Sequence, residues 1–96
     1  MPYQLIIAAK AYKDIETARN WYDNQSALAG DWFVNEINVH VSNITKNPWR
    51  YAMIAVGIRR KLLKRFPYKI FFSVKSNVIV ILRIRHNKQK PLKRYT

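Results

Sequence analysis

The apolar residues of this chain change their period once, and that change limits the fold more than any other feature. Between Ala11 and Ile44 they recur every three or four positions: Ala11, Ile15, Ala18 and Tyr22 in one run, Phe33, Ile37, Val41 and Ile44 in the next. Such spacing lays a single apolar stripe along a helix. From Tyr51 onward the period is two, as in half-buried strands. Two amphipathic helices followed by alternating strands have one economical arrangement, a helix layer on one face of a sheet. The class is α+β.

Local signals place the elements. Residues 3–9, YQLIIAA, read as a strand ahead of a first helix over about 11–25. The stretch NQSALAGD interrupts the pattern, and Ser26 offers a cap to a second helix that starts at Ala27 or Asp31 and ends at Lys46. Asn47-Pro48 stops that helix, because proline disfavours helical geometry in the residue before it. The short joint makes the pair an antiparallel hairpin. Strands follow over 58–66, 68–75 and 78–85, with Ser76-Asn77 as a tight turn, giving a three-stranded antiparallel meander. Strict alternation puts Tyr68, Ile70, Phe72, Val74, Val80, Leu82 and Ile84 under the helices. Lys69, Phe71, Ser73, Lys75, Ile79, Ile81, Arg83 and Arg85 then share the open face. Adjacent Leu62 and Leu63 leave the phase of the first meander strand undecided. The chain reads as one domain over 1–96, with 86–96 a basic tail.

Charge divides the chain in two. Of 18 Lys and Arg, five lie in residues 1–50 together with all five acids; residues 51–96 carry the other thirteen cations and no acid. In RRKLLKRFPYKIFF, residues 59–72, Arg59, Arg60, Lys61, Lys64, Arg65 and Lys69 are threaded through strand-forming residues. Like charges on neighbouring strands repel, so this arrangement implies a polyanionic or acidic partner. Arg59, Arg65, Lys69, Arg83, Arg85 and Lys88 are the expected contacts to it. The exposed apolar stripe expected from Phe71, Ile79 and Ile81 marks a second binding surface on the same face.

Several chemistries are excluded by residue supply. There is no Cys, His40 and His86 are the only imidazoles, and no carboxylate occurs in the basic half, so a metal centre lacks ligands. No cofactor motif is present. His40 beside the apolar face of the second helix reads as a structural residue. Apolar runs such as Val78–Leu82 are too short to span a membrane, and the N-terminal stretch lacks the basic region of a secretory signal. A cytoplasmic protein with no membrane partner is expected. Metal-free cleavage of RNA would need a base at the 2′-oxygen, an acid at the leaving oxygen and cations around the phosphorane. His86, Tyr68 and Tyr95 could exchange protons, while Arg59, Arg65, Arg83 and Arg85 could hold phosphate.

An ordered set of local words resembles the RelE/ParE superfamily of bacterial type II toxins. WYDNQ (Trp21–Gln25) is similar to that family's end of the first helix, and GDWF (Gly30–Phe33) to its start of the second. Asn47-Pro48, the run from Ile58 through RFPYKIFF to Phe72, and the closing His86 with Pro91 complete a likeness covering nearly the whole chain. It is nearest the ParE-like branch. Ala29-Gly30 stands where relatives often carry Leu-Gly, Phe72 where Tyr is common, and Gln89 and Lys90 where an Arg and an acid often follow the His. The resemblance implies the strand–hairpin–meander fold and a growth-arresting toxin of a plasmid-stabilisation-like system. It implies neutralisation by a cognate antitoxin; the basic surface makes an acidic one the expected partner, docked on the expected stripe of Phe71, Ile79 and Ile81. A ParE-like member would poison DNA gyrase without chemistry of its own. The alternative, a RelE-like ribosome-dependent endoribonuclease, would use His86, Tyr95, Arg65 and Arg83 on messenger RNA. Either a homodimer or a toxin–antitoxin heterotetramer is compatible with it.

Overall fold

The computed structural model describes residues 3–95. Strand β1 (Gln4–Ile7) leads directly into helix α1 (Ala9–Gln25), and α2 (Ala29–Lys46) returns antiparallel. A single 3-10 turn (Pro48–Arg50) precedes β2 (Met53–Ala55), β3 (Ile58–Leu62), β4 (Tyr68–Lys75) and β5 (Val78–His86). The strands form one five-stranded sheet in the order β1-β5-β4-β3-β2, antiparallel except for the parallel β1–β5 pair. The α+β arrangement required by the two periods is therefore present, with one strand more than the sequence announces. β2 has only three residues and occupies an edge, and it turns into β3 through Gly57, whose φ of 75° favours glycine.

The helix hairpin closes tightly because of Gly30. A Cβ at that position would stand 2.9 Å from the backbone oxygen of Arg19 and overlap the Asp23 carboxylate. Ser26 does not cap α2. Its backbone N–H closes α1 on the Tyr22 carbonyl at 3.0 Å, and α2 begins without a side-chain cap. Asp31 lies in the first turn of α2, where a negative charge complements the helix dipole.

Between the layers, Ala11 and Ala18 of α1 and Phe33, Ile37, Val41 and Ile44 of α2 pack on Ile70 and Phe72 of β4. The matching β5 residues are Ile79, Ile81 and Ile84, not the expected Val80, Leu82 and Ile84. The register explains the difference. Phe72 faces Ile81 but Phe71 faces Arg83, so Leu82 is an extra residue on β5. This bulge shifts the alternation by one, and every side chain before it changes face. Phe71, Ile79 and Ile81 are 6%, 0% and 0% exposed, so the open apolar stripe read from the sequence does not exist.

The Leu62–Leu63 ambiguity is also resolved. β3 stops at Leu62, which is 54% exposed, while Leu63 turns into the core and donates its N–H to the Tyr68 carbonyl. β3 is thus four residues shorter than its alternation implied. The β4–β5 turn is as read: Lys75 pairs with Val78 across Ser76-Asn77, with Ser76 at φ 55°.

The β5 phase can be checked by truncation. Ile81→Ala should cost about 2–5 kcal/mol as a buried large-to-small change. The neighbouring Val80→Ala, on the opposite face, should cost about 1 kcal/mol or less. Equal losses in denaturant titration would place the bulge elsewhere.

Candidate functional site: two clefts back to back

At the end of the sheet where β4 begins and β5 finishes, a cleft opens on each face, and Gln89 lines both. The helix-side cleft, about 560 Å³, is walled by Thr17, Trp21 and Tyr22 of α1 and floored by Tyr68, Ile84 and His86. The His86 and Tyr68 rings meet edge to face at 5.0 Å. Burial pushes the Tyr68 phenol up; burial first, and then Tyr68 itself, does the same to Tyr22. Both hydroxyls are therefore protonated donors near neutral pH, not bases. His86 Nδ1 accepts the Lys88 N–H at 3.0 Å, which assigns the proton of the neutral ring to Nε2. Among the described residues the one carboxylate lining this cleft, Asp14, is already engaged. It accepts Arg83 Nε at 2.7 Å, Arg83 Nη2 at 3.0 Å and the Ile84 backbone N–H at 3.0 Å. These bonds push the Arg83 guanidinium further up against the opposing effect of burial.

The open-face cleft, about 320 Å³, has a different chemistry. Arg60, Lys69, Arg85 and Lys90 line it with Phe71 and Tyr95, and no Asp or Glu side chain does. Lys69 and Arg85 are directly opposed partners on β4 and β5, and Arg60 faces Phe71 from β3. The tail forms the outer wall. Tyr95 packs on Phe71 at 5.2 Å between ring centroids, Arg85 Nη2 donates to the Lys90 carbonyl at 2.8 Å, and Asn87 N–H reaches the Pro67 carbonyl.

The expected contact residues are thus divided. Lys69 and Arg85 share the open cleft. Arg59 lies on the helix-side phase of β3, where it donates to the Trp49 and Tyr51 carbonyls at 3.2 and 2.6 Å and sits 5.2 Å from the Trp49 ring. Arg83 is bound to Asp14, and Lys88 is exposed on the turn after β5. Arg65 is exposed on the 63–67 loop, which Glu36 holds by accepting the Lys64 and Arg65 backbone N–H groups at 3.0 and 2.7 Å. Of the four nuclease candidates, none is in hydrogen-bond contact with another: His86 is in the helix-side cleft and Tyr95 on the opposite face of the sheet. Among the described residues, no three His, Cys, Asp or Glu side chains gather as a metal site. Sequence reasoning missed Asp14 and Glu36. The available signal was their rarity: with five acids against eighteen cations, each acid is a residue to place.

Over residues 5–91 the chain matches the family described as the ParE toxin of the type II toxin–antitoxin system parDE. Its fold is similar to the chromosomal ParDE toxin–antitoxin system of P. aeruginosa, with a TM-score of 0.72 and 23% identity over 88% of this chain and 95% of that one. It is also similar to the toxin–antitoxin complex RelBE2 from Mycobacterium tuberculosis, with a TM-score of 0.60 and 16% identity over 90% and 99% of the two chains. A mutant of the E. coli toxin RelE in the free state gives 0.61 and 11% over 92% and 86%. At these identities the structural likeness speaks for the fold. No curated protein matches the sequence.

The Glu36 anchor carries a pH dependence. His40 Nε2 lies 3.7 Å from Glu36 Oε2, while its buried Nδ1 has no partner. Burial, then Lys61, lowers the His40 pKa, with Glu36 opposing and Lys64 assisting. The unfolded chain therefore binds the extra proton more readily, and stability is full above the ordinary histidine value. It should fall as pH drops through about 6.5 toward the lowered folded value. Denaturant midpoints at pH 7 and pH 5 should show a smaller loss for His40→Leu than for the natural chain; identical losses would remove His40 from the account.

Proposed function

The chain belongs to the ParE toxin family of type II toxin–antitoxin systems, and from that premise we propose that it arrests growth by inhibiting DNA gyrase. A cognate acidic antitoxin holds it inactive. The observation that carries this reading over RNA cleavage is the separation of the paired proton-transfer groups, His86 and Tyr68, from the cations that would hold phosphate. A nuclease needs an acid, a base and phosphate-binding cations around one phosphorus. Here His86 and Tyr68 share the helix-side cleft, which no Lys or Arg side chain lines, Tyr95 stands on the opposite face of the sheet, and Arg83 is neutralised by Asp14. What remains is a binding surface, with the cations of the open face acting together and no single residue indispensable.

The antitoxin reading rests on the family and on charge. The solved neighbours from P. aeruginosa and M. tuberculosis are toxin–antitoxin systems. A net charge of +13 favours an acidic partner and fast, salt-sensitive association. The apolar surface such a partner would cover is not the buried Phe71–Ile79–Ile81 group. Exposed apolar side chains lie on β1 (Leu5, Ile6) and on the hairpin (Trp21, Leu28, Trp32, Val39).

Expressed without an antitoxin, His86→Ala and Tyr95→Phe should both still arrest growth, and supercoiling by purified gyrase should fall in the presence of the natural protein. A proton-transfer residue would instead cost roughly 10²–10⁴-fold in rate with binding retained. A folded His86→Ala protein that is harmless, together with messenger RNA cut on ribosomes by the natural protein, would replace gyrase inhibition with endoribonuclease activity.

A further inference from the structure

We propose that the open-face cleft is a binding site for a phosphodiester group of a DNA strand, with the C-terminal tail as its outer wall. For the identity of the nucleic acid the inference rests on the gyrase reading; the site itself is argued from its own geometry. Arg60, Lys69, Arg85 and Lys90 converge on a cavity of about 320 Å³ that no Asp or Glu side chain lines. The opposition of Lys69 and Arg85 across β4 and β5 costs folding energy, since like charges facing each other on adjacent strands repel. The fold spends its acids elsewhere. Asp14 goes to Arg83, Glu36 to the 63–67 loop, and Asp23 and Asp31 to Arg19. A repulsive pair left uncompensated inside a cleft is what an anion site looks like before its anion arrives.

The donors match phosphate. Arg60 and Arg85 supply planar guanidinium forks, of which Arg85 uses Nη2 on the Lys90 carbonyl and keeps its other N–H groups. Lys69 Nζ lies 5.9 Å from the Phe71 ring centroid, directed over the cleft floor. Tyr95, half-buried against Phe71, offers a ring at the rim where a sugar or base can rest. Exposed Lys88, Lys93 and Arg94 on the same tail continue the positive surface past the cleft, as a strand with one charge per nucleotide would use. A lone carboxylate would bring a single charge to four cations; a polyphosphate strand brings a row.

Binding of a fluorescein-labelled single-stranded DNA 12-mer, read by anisotropy from 50 to 300 mM salt, tests the site. Lys69→Gln and Arg85→Gln should each weaken binding roughly five-fold at 100 mM salt and reduce the salt slope by about 0.7, the loss of one phosphate contact. Lys75→Gln, exposed on the same strand but outside the cleft, should weaken it less than about two-fold. The melting temperature supplies a readout that a structural role would move the other way. Lys69→Gln should raise it by roughly 1–5 °C, because one repelling partner is gone. Equal losses in Lys75→Gln and Arg85→Gln would reduce the cleft to general charge and overturn the proposal. So would unchanged DNA binding in Arg85→Gln with weakened antitoxin binding, which would assign the cleft to acidic side chains. Gyrase supercoiling is measured alongside: a natural protein that leaves gyrase untouched while its cleft variants lose DNA would sink the gyrase reading and leave the site standing.

Discussion

One carboxylate fixes the last strand. β1 pairs with β5 only as far as Ile81, and beyond it the backbone of β5 has no strand on that side. Asp14, from the second turn of α1, fills the vacancy by accepting the Ile84 N–H and the Nε and Nη2 donors of Arg83. A buried edge N–H left unsatisfied would cost on the order of 1–3 kcal/mol. The Leu82 bulge immediately before this clamp sets the phase of the strand on either side. Ile79 and Ile81 are delivered to the core, Arg85 to the open face and His86 to the helix-side cleft. Both clefts are consequences of that one extra residue and the charge that receives it.

The placement of the acids explains why no Asp or Glu side chain stands among the cations of the open-face cleft. Each described acid belongs to a helix, and two reach across to the second half of the chain: Asp14 to β5 and Glu36 to the loop before β4. Both are used to join layers, where desolvation makes a charged hydrogen bond worth more than on the surface. The fifth acid, Glu16, is exposed on α1 in the helix layer, and no Asp or Glu side chain lines the open-face cleft. The basic character that looked like a property of the second half as a whole is therefore graded. Arg59 and Arg83 are structural, Lys61 sits near the Tyr51 ring with its pKa lowered by burial and Arg50, and Arg60, Lys69, Arg85 and the tail cations remain available.

What the sequence made legible follows its periodicity. The helix stripes were readable because Phe33, Ile37, Val41 and Ile44 stand among polar neighbours and admit one face only. β4 was readable for the same reason, since Lys69, Ser73 and Lys75 alternate with Ile70, Phe72 and Val74. In VIVILRIRH both phases are apolar from Val78 to Leu82, so alternation cannot choose, and a bulge there leaves no trace in composition. The packing of the tail was not legible, because Pro91 and its cations resemble a solvated segment. Its attachment includes the Tyr95 ring on Phe71, the Arg85 side chain on the Lys90 carbonyl and the Asn87 backbone N–H on the Pro67 carbonyl. The site residues were partly legible: Lys69 and Arg85 were named for their charge, but which cations the fold itself would consume depended on Asp14 and on the carbonyls of 49–51.

The most direct test of this account is a double-mutant cycle on the clamp, Asp14→Ala with Arg83→Ala, read by equilibrium denaturation. Both side chains are 17% exposed, so their interaction is only partly screened. The coupling energy should be about 1.5–3 kcal/mol, the range for hydrogen bonds to charged groups. A coupling at or below about 0.5 kcal/mol, typical of an exposed ion pair, would mean that the clamp does not hold β5 and that the division between structural and available cations has another cause.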